Sequence, residues 1–252
     1  MIQLLAASTA LILSGGLGTR LRSVVADRPK VLALVAGQPY LAHLLDKLVK
    51  TGLRRVVLCT GYGADQVRAE FGARYRELDL EYSEEPEPLG TGGALRLALP
   101  QVESSTLLVL NGDSYCDADL RAFWRFHHGQ PDSPLSVASS DRHRGSLLLT
   151  NVANTRRFGS VTIEAGGRIR QFREKGEATG CGWISAGIYL LDRSLVEAIP
   201  PGRAVSLERE LFPTWIAGGL YGFATASAFI DIGTPESYAA ADLFFGGLGL
   251  AA

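Results

Sequence analysis

Two hundred and fifty-two residues, 46% hydrophobic and 20% charged, carry enough apolar material for a substantial core and exclude an intrinsically disordered chain. The 25 basic and 26 acidic side chains leave a net charge of -1, so the basic excess of a general nucleic-acid or membrane-surface binder is missing. No apolar run approaches the ~20 residues of a membrane span, and the chain is read as soluble.

Met1 to Leu13 is apolar, but no positive charge precedes Arg20, so the charged start of a signal peptide is lacking and Ala10–Ser14 reads as a buried strand. A glycine-rich loop follows, then an amphipathic run over Pro39–Lys50. Next come a strand at Arg55–Thr60, a helix at Ala64–Phe71, a strand at Leu78–Ser83, a helix at Gly92–Leu99 and a strand at Thr106–Leu110. This alternation predicts βαβ units and a parallel sheet covered on both faces, with the apolar runs Val56-Val57-Leu58 and Leu107-Leu108-Val109-Leu110 at its centre.

The pattern changes after Asp113. Pro131 and Pro134 bracket a loop, and shorter strands are expected at Leu135–Ser139, Ser146–Val152, Ser160–Ile163, Arg168–Phe172 and Ile184–Leu191. Glu164-Ala165-Gly166-Gly167 reads as a hairpin turn between two of them. Helices at Ser206–Ala217 and Pro235–Phe245 flank strands around Tyr221–Thr225 and Phe229–Ile232, and the tail Gly246–Ala252 is expected to fray. Without repeats or low-complexity linkers, residues 1–252 read as one domain, with a nucleotide-type half over about 1–130 and an acceptor half over about 131–245.

Cys59, Cys116 and Cys181 are odd in number and far apart, with no zinc spacing or disulfide framework. They read as small buried hydrophobes in a reducing cytoplasm. His43, His127, His128 and His143 show no partner spacing and read as solvated or core residues, and Trp124, Trp183 and Trp215 as core or pocket wall. Ser206-Leu207-Glu208 reads as a helix start with a favourable early acid.

The strongest local signal is Ser14-Gly15-Gly16-Leu17-Gly18-Thr19-Arg20-Leu21, directly after the first strand. Glycines there let backbone N–H groups approach an anion without a Cβ in the way. A P-loop would need Lys-Ser/Thr after its last glycine, and a dinucleotide fingerprint would need a glycine where Leu21 stands, so neither pattern fits. What remains is Gly-Gly-x-Gly-Thr-Arg, whose arginine can fork onto the β- and γ-phosphates of a nucleotide. Lys30 follows in Arg28-Pro29-Lys30, one of only four lysines against twenty-one arginines.

The run Gly15-Gly16-Leu17-Gly18-Thr19-Arg20-Leu21 with Pro29-Lys30 resembles the signature of the sugar-1-phosphate nucleotidyltransferases. The resemblance continues, in order and over nearly the whole chain, through Pro88-Leu89-Gly90-Thr91-Gly92-Gly93-Ala94, Asn111-Gly112-Asp113, Phe172-Arg173-Glu174-Lys175, Ser185-Ala186-Gly187-Ile188-Tyr189 and Asp231-Ile232-Gly233-Thr234-Pro235. It implies the nucleotide-diphospho-sugar transferase fold: an α/β, Rossmann-like, mixed but mainly parallel sheet with helices on both faces.

Asp113 closes an apolar strand and so brings a carboxylate to the ligand-binding C-terminal edge of a parallel sheet. Asp231 sits in a short apolar strand, where an unpaired carboxylate would be costly to bury. Two such carboxylates converging make a hard oxygen site suited to Mg²⁺, with phosphate oxygens completing the shell. The resemblance gives Asp113 and Asp231 this role. Asp117-Ala118-Asp119 looks like the Asp-x-Asp of glycosyltransferases, but reads instead as the cap of a helix over Leu120–Phe126.

The implied reaction is in-line attack of a sugar-1-phosphate oxygen on the nucleotide α-phosphorus, with pyrophosphate leaving. Arg20 would neutralise the pyrophosphate, Lys30 would steady the α-phosphate and Lys175 would hold the sugar phosphate. Ser14, Gly15, Gly16, Gly18, Thr19, Gly90 and Thr91 would bind the nucleotide, and Gly159, Glu174 and Ser185 would join Lys175 on the acceptor side. Glu85 stands where the family places a base-reading side chain, with Glu84 and Glu87 close by. A carboxylate accepts both adjacent donors of guanine, whereas uracil and thymine offer one, so GTP is favoured over other nucleoside triphosphates.

The chain looks most like the guanylyltransferases acting on D-glycero-α-D-manno-heptose 1-phosphate, with mannose-1-phosphate guanylyltransferases close behind. It departs from the usual pattern at Gly176, where a proline often follows the lysine, and at Ser185, where an asparagine often stands. Two rival readings are a glycosyltransferase using Asp117 and Asp119 and a non-catalytic nucleotide-sugar sensor. Partners are then a nucleoside triphosphate and a sugar 1-phosphate, with neither nucleic acid nor membrane, and an oligomer is compatible with the chain.

Overall fold

The computed structural model describes residues 5, 7–129, 143–173, 176 and 180–249. The expected Pro131–Pro134 loop and the Leu135–Ser139 strand lie outside them. Within them a ten-stranded sheet runs through both halves.

Its centre is four parallel strands: β7 (Thr106–Asn111), β1 (Thr9–Leu13), β4 (Arg55–Thr60) and β6 (Leu78–Glu84), while β2 (Leu34–Val35) and β3 (Gln38–Pro39) pair in a separate small hairpin. Their ends are in register: Leu13 lies opposite both Cys59 and Asn111, and Cys59 opposite Ser83. The loops that follow these strands therefore open at one common edge. Alternation through the buried strands feeds two cores. Ala10, Ile12, Val56, Leu58, Leu108 and Leu110 face one side, while Leu11, Val57, Cys59, Leu107 and Val109 face the other.

Helix α1 (Tyr40–Thr51) covers the first side with Leu41, Leu44, Leu45 and Leu48, an i, i+3, i+4, i+7 stripe. It stops at Gly52, whose φ of 83° is the left-handed conformation that glycine adopts without strain. Between α1 and the later strands lie α2 (Ala64–Phe71) and α3 (Gly90–Ala98), the latter packing Ala94, Leu95 and Ala98 into the second core. On the first side, α4 (Leu120–His127) is capped by Asp119, whose Oδ1 accepts from the Arg121 and Ala122 amides at 2.8 and 3.2 Å.

The acceptor half extends the sheet through β12 (Gly182–Asp192), antiparallel to β7, with β9 (Gly145–Val152) and β10 (Ser160–Ile163) against it. The hairpin to β11 (Ile169–Arg173) turns where expected, the Gly167 amide donating to the Glu164 carbonyl at 2.9 Å. β13 (Leu220–Thr225) adds in parallel to β9, and β14 (Phe229–Asp231) pairs with β8 (Ser114–Cys116). The β8 strand and a small hairpin edge, β5 (Arg74–Tyr75), were not legible as strands because each spans three residues or fewer.

Two expected helices are broken. Over Ser206–Ala217 the chain forms a wide turn at Leu207–Leu211, with the Glu210 and Leu211 amides sharing the Ser206 carbonyl, then one turn of helix at Phe212–Trp215. Pro213 supplies the reason, since it has no N–H to continue an α-ladder and its ring crowds the carbonyl four residues earlier. Pro235–Phe245 divides into Pro235–Ala239 and Ala241–Gly247. Tyr238 Oη donates to the Leu34 carbonyl in the first piece, and Asp242 accepts from the Ala36 amide in the second, so each is tied down separately. Helix thus continues to Gly247, beyond the expected start of fraying. Cys181 is exposed, correcting the expectation that all three cysteines are buried; its thiol donates to Asn151 Oδ1 at 3.1 Å.

Candidate functional site

Two cavities open at the common edge of the parallel strands. The larger, about 620 Å³, is lined by Ser14 to Gly18 of the first loop, by Lys30, by Glu84 to Pro88, and by Gly90 at the start of α3. The smaller, about 340 Å³, takes Phe158, Gly159, Phe172, Ser185 and Tyr189 from the antiparallel part, with Arg20, Arg157, Glu208 and Asp231. Thr91, Asn111 and Asp113 line both. The two spaces therefore meet at the end of β7, where the chain turns through Gly112 into β8.

At this junction each carboxylate already holds a cation. Lys30 Nζ donates to Asp113 Oδ2 at 2.5 Å. Arg157 Nη2 donates to Asp231 Oδ1 and Oδ2 at 3.0 and 3.2 Å and to Ser237 Oγ at 3.3 Å. The Ile232 amide donates to the Asp113 carbonyl at 2.9 Å, which brings the two acidic segments together, and the antiparallel pairing sets Asp231 opposite Ser114.

A polar chain forms the wall between the cavities. Thr91 Oγ1 donates to Glu208 Oε2 at 3.0 Å and accepts from the Leu207 amide at 2.8 Å. Tyr189 Oη donates to Glu208 Oε1 at 3.2 Å and accepts from Asn111 Nδ2 at 3.3 Å. Burial, with the Glu208 carboxylate beside it, pushes the Tyr189 phenol well above its usual range, so this hydroxyl stays protonated and works as a donor. The wide turn at Leu207–Leu211 is what lets Glu208 reach this wall.

In the larger cavity, Glu85 Oε2 accepts from the Leu89 amide at 2.7 Å, and its Oε1 lies beside Gly15. Burial raises the Glu85 carboxyl above the usual glutamate value, and the Leu89 amide partly offsets this.

The structure brings Ser14, Gly15, Gly16, Gly18, Lys30, Glu85, Gly90, Thr91 and Asp113 together around the larger cavity. It brings Gly159, Ser185 and Asp231 together around the smaller one. Arg20 lines the smaller cavity near Gly233, and Thr19 is exposed and lines neither. Glu174 and Lys175 lie outside the described residues. Asp113 sits one turn past the end of β7 rather than in the strand. Asp119 is engaged as a helix cap and Asp117 accepts from Tyr115 Oη at 3.3 Å, and neither lines either of these two cavities.

Sequence reasoning missed Arg157, Tyr189 as a wall residue, and Glu208. Arg157 has one local signal, its position two residues before Gly159; Glu208 reads in the sequence as an early helical acid. Among the described residues no group of three or more His, Cys, Asp and Glu side chains gathers as a metal site, and no helix is long and apolar enough to cross a membrane.

The sequence matches the family described as Nucleotidyl transferase over residues 9–246. It is 38% identical over 233 residues to the mannose-1-phosphate guanylyltransferase of Mycobacterium tuberculosis, covering 91% of this chain and 62% of that protein, so the chain spans under two thirds of that relative's length. It is 34% identical to the D-glycero-alpha-D-manno-heptose 1-phosphate guanylyltransferase of Aneurinibacillus thermoaerophilus, covering 91% of this chain and 94% of that protein. The crystal structure of HddC from Yersinia pseudotuberculosis superposes with a TM-score of 0.80 at 33% identity, covering 94% of this chain and 99% of that one. The same protein complexed with GMP-PN gives a TM-score of 0.78. Fold and sequence agree: the chain belongs to the nucleotidyl transferase family.

Proposed function

We propose that this chain joins GTP to D-glycero-α-D-manno-heptose 1-phosphate, giving GDP-heptose and pyrophosphate, with mannose 1-phosphate as the alternative acceptor. The observation that carries this reading is the pair of cavities meeting at Thr91, Asn111 and Asp113. One is framed by glycine amides and a lysine, the other by an arginine-bearing acceptor half. The heptose relative, matched over 94% of its length, supports that acceptor, and the complex of the Yersinia protein with GMP-PN supports a guanine nucleotide.

In the reaction a sugar-phosphate oxygen attacks the α-phosphorus of GTP, the new P–O bond forming as the bond to pyrophosphate breaks. The attacking phosphate is a dianion over much of the neutral range and needs no general base. Ser14, Gly15, Gly16 and Gly18 cradle the triphosphate, Lys30 steadies the α-phosphate, and Arg20, which reaches the junction from the smaller cavity, neutralises charge on the departing pyrophosphate. Lys175, with Glu174, Gly159 and Ser185, holds the sugar phosphate. Glu85 reads guanine from its place in the larger cavity, using Oε1 and the remaining lone pair of Oε2.

Asp113 and Asp231 fit a divalent cation: both present carboxylate oxygens to one cavity, and both already attract a cation there. Two protein carboxylates would leave most positions of a Mg²⁺ shell open to phosphate oxygens. When bound, Mg²⁺ would neutralise charge between the two phosphate groups.

The same reading treats residues 1–252 as one unit, the continuous sheet supporting a nucleotide half over about 1–130 and a sugar-phosphate half over about 131–245. It also places the reaction in the cytoplasm, where nucleoside triphosphates are held. The test is a pyrophosphate-release screen of GTP, UTP, dTTP and CTP against a panel of sugar 1-phosphates. Release with GTP and heptose 1-phosphate is the expected result. No release with any pair would favour a non-catalytic nucleotide-sugar sensor.

A further inference from the structure

The arrangement of charge around Asp231 goes beyond these assignments. Two carboxylates stand at the junction, and two side-chain cations are paired with them: Lys30 on Asp113, and Arg157 on Asp231. The two cations belong to different cavities. Lys30 lines the larger, and Arg157 lines the smaller. Without substrates, the four charges cancel.

We propose that Arg157 is a sugar-phosphate-binding residue that is held on Asp231 until that carboxylate takes a divalent cation. The proposal rests on the nucleotidyl-transfer reading above and deepens it on the acceptor side. With a divalent cation held by Asp113 and Asp231, its two positive charges would neutralise those carboxylates, and Lys30 and Arg157 would leave them. Each displaced side chain is then a cation facing its own cavity, Lys30 toward the triphosphate and Arg157 toward the sugar phosphate. Only ionic contacts change: the Arg157–Asp231 pair opens, Arg157 forms new hydrogen bonds to phosphate oxygens, and no proton moves.

Three features suit Arg157 to this exchange. It ends a short turn at Thr155–Arg157 rather than sitting within a strand, and its side chain is 46% exposed, so it can swing. Its hold on Asp231 runs through a single nitrogen, Nη2, leaving the rest of the fork available to a phosphate. Asp231 keeps another partner when Arg157 leaves, because the Gly233 amide donates to Oδ2 at 3.2 Å.

The exchange makes a prediction of opposite signs that a purely structural arginine would not produce. In Arg157→Gln, the competitor for Asp231 is gone, so Mn²⁺ binding to the substrate-free protein, followed by electron paramagnetic resonance, should tighten about two- to five-fold, the scale of one half-exposed ion pair. In the same variant the KM for the sugar 1-phosphate should rise about tenfold or more while the KM for GTP stays within about twofold. Arg157→Lys, which keeps the charge, should bring both values part of the way back and guards against misfolding of the first variant. Unchanged or weaker Mn²⁺ binding in Arg157→Gln would overturn the exchange. A rise confined to the KM for GTP would overturn the assignment to the acceptor side. Because the Mn²⁺ titration needs no turnover, it decides the exchange even if wild-type protein releases no pyrophosphate, the result that would defeat the reading on which the proposal rests.

Discussion

Gly15 and Glu85 are packed so closely that a Cβ on the glycine would lie 2.7 Å from the glutamate Oε1, and 3.2 Å from the Gly61 amide nitrogen. The first glycine of the loop therefore has a steric role of its own. It leaves room for the carboxylate that faces the larger cavity. Gly15→Ala should displace Glu85 or the loop, raising the KM for GTP about tenfold, while the variant keeps its cooperative melting transition. A KM equal to wild type would show that the carboxylate can move aside without consequence.

Glu85 also carries a pH dependence. Burial raises its carboxyl above the usual 4.5, so on acidification it takes up a proton at higher pH than an ordinary glutamate does. The neutral acid cannot accept both guanine donors, so kcat/KM for GTP should fall on the acid side above pH 4.5. Glu85→Gln removes the titrating group and should flatten that limb while narrowing the preference for GTP over UTP. A pH profile of the two proteins with both nucleotides checks this, and an unchanged preference would move base recognition elsewhere.

The junction residues should control turnover. Arg20→Ala removes a cation, and Asp113→Asn a carboxylate, from the cavities that meet there, and each should lower kcat by about 10²-fold or more, on the order of 3 kcal/mol at the transition state. Chelation of divalent cations should stop pyrophosphate release and added Mg²⁺ should restore it. Single-turnover rates of variants with native circular dichroism make the comparison, and rates near wild type would remove these residues from the mechanism.

Asp117 and Asp119 distinguish making a nucleotide sugar from spending one. Asp119→Ala removes the two cap hydrogen bonds of α4 and should cost about 1 kcal/mol of stability, read by urea unfolding, with little change in kcat. Asp117→Ala should leave pyrophosphate release intact. Loss of release in the second variant would revive the glycosyltransferase reading.

Much of the nucleotide side was legible from the residues because its signals are local. The first loop lies within eight residues of its strand, its glycines have a stereochemical reason, and continuous apolar runs mark β4 and β7 as central strands. The cavity-lining position of Glu85 and the capping role of Asp119 were legible for the same reason, each being defined by close neighbours in the chain. The acceptor side was harder. Arg157 and Asp231 are 74 residues apart, and nothing in either local sequence announces the other. Glu208 reads locally as an early helical acid, because the wide turn that redirects it is set by Pro213, five residues later.

What the amino-acid sequence determined by itself was the alternating α/β architecture and the residue types available: a glycine-rich loop after the first strand, aspartates close to strand ends, few lysines and many arginines. These follow from periodicity and residue type, which act over a few neighbours. Which cation stands on which carboxylate, and which cavity each side chain faces, was decided only by tertiary structure. Those facts depend on strands brought together from distant parts of the chain, with β14 laid against β8 and β12 against β7, and coulombic pairing acts through space rather than along the backbone.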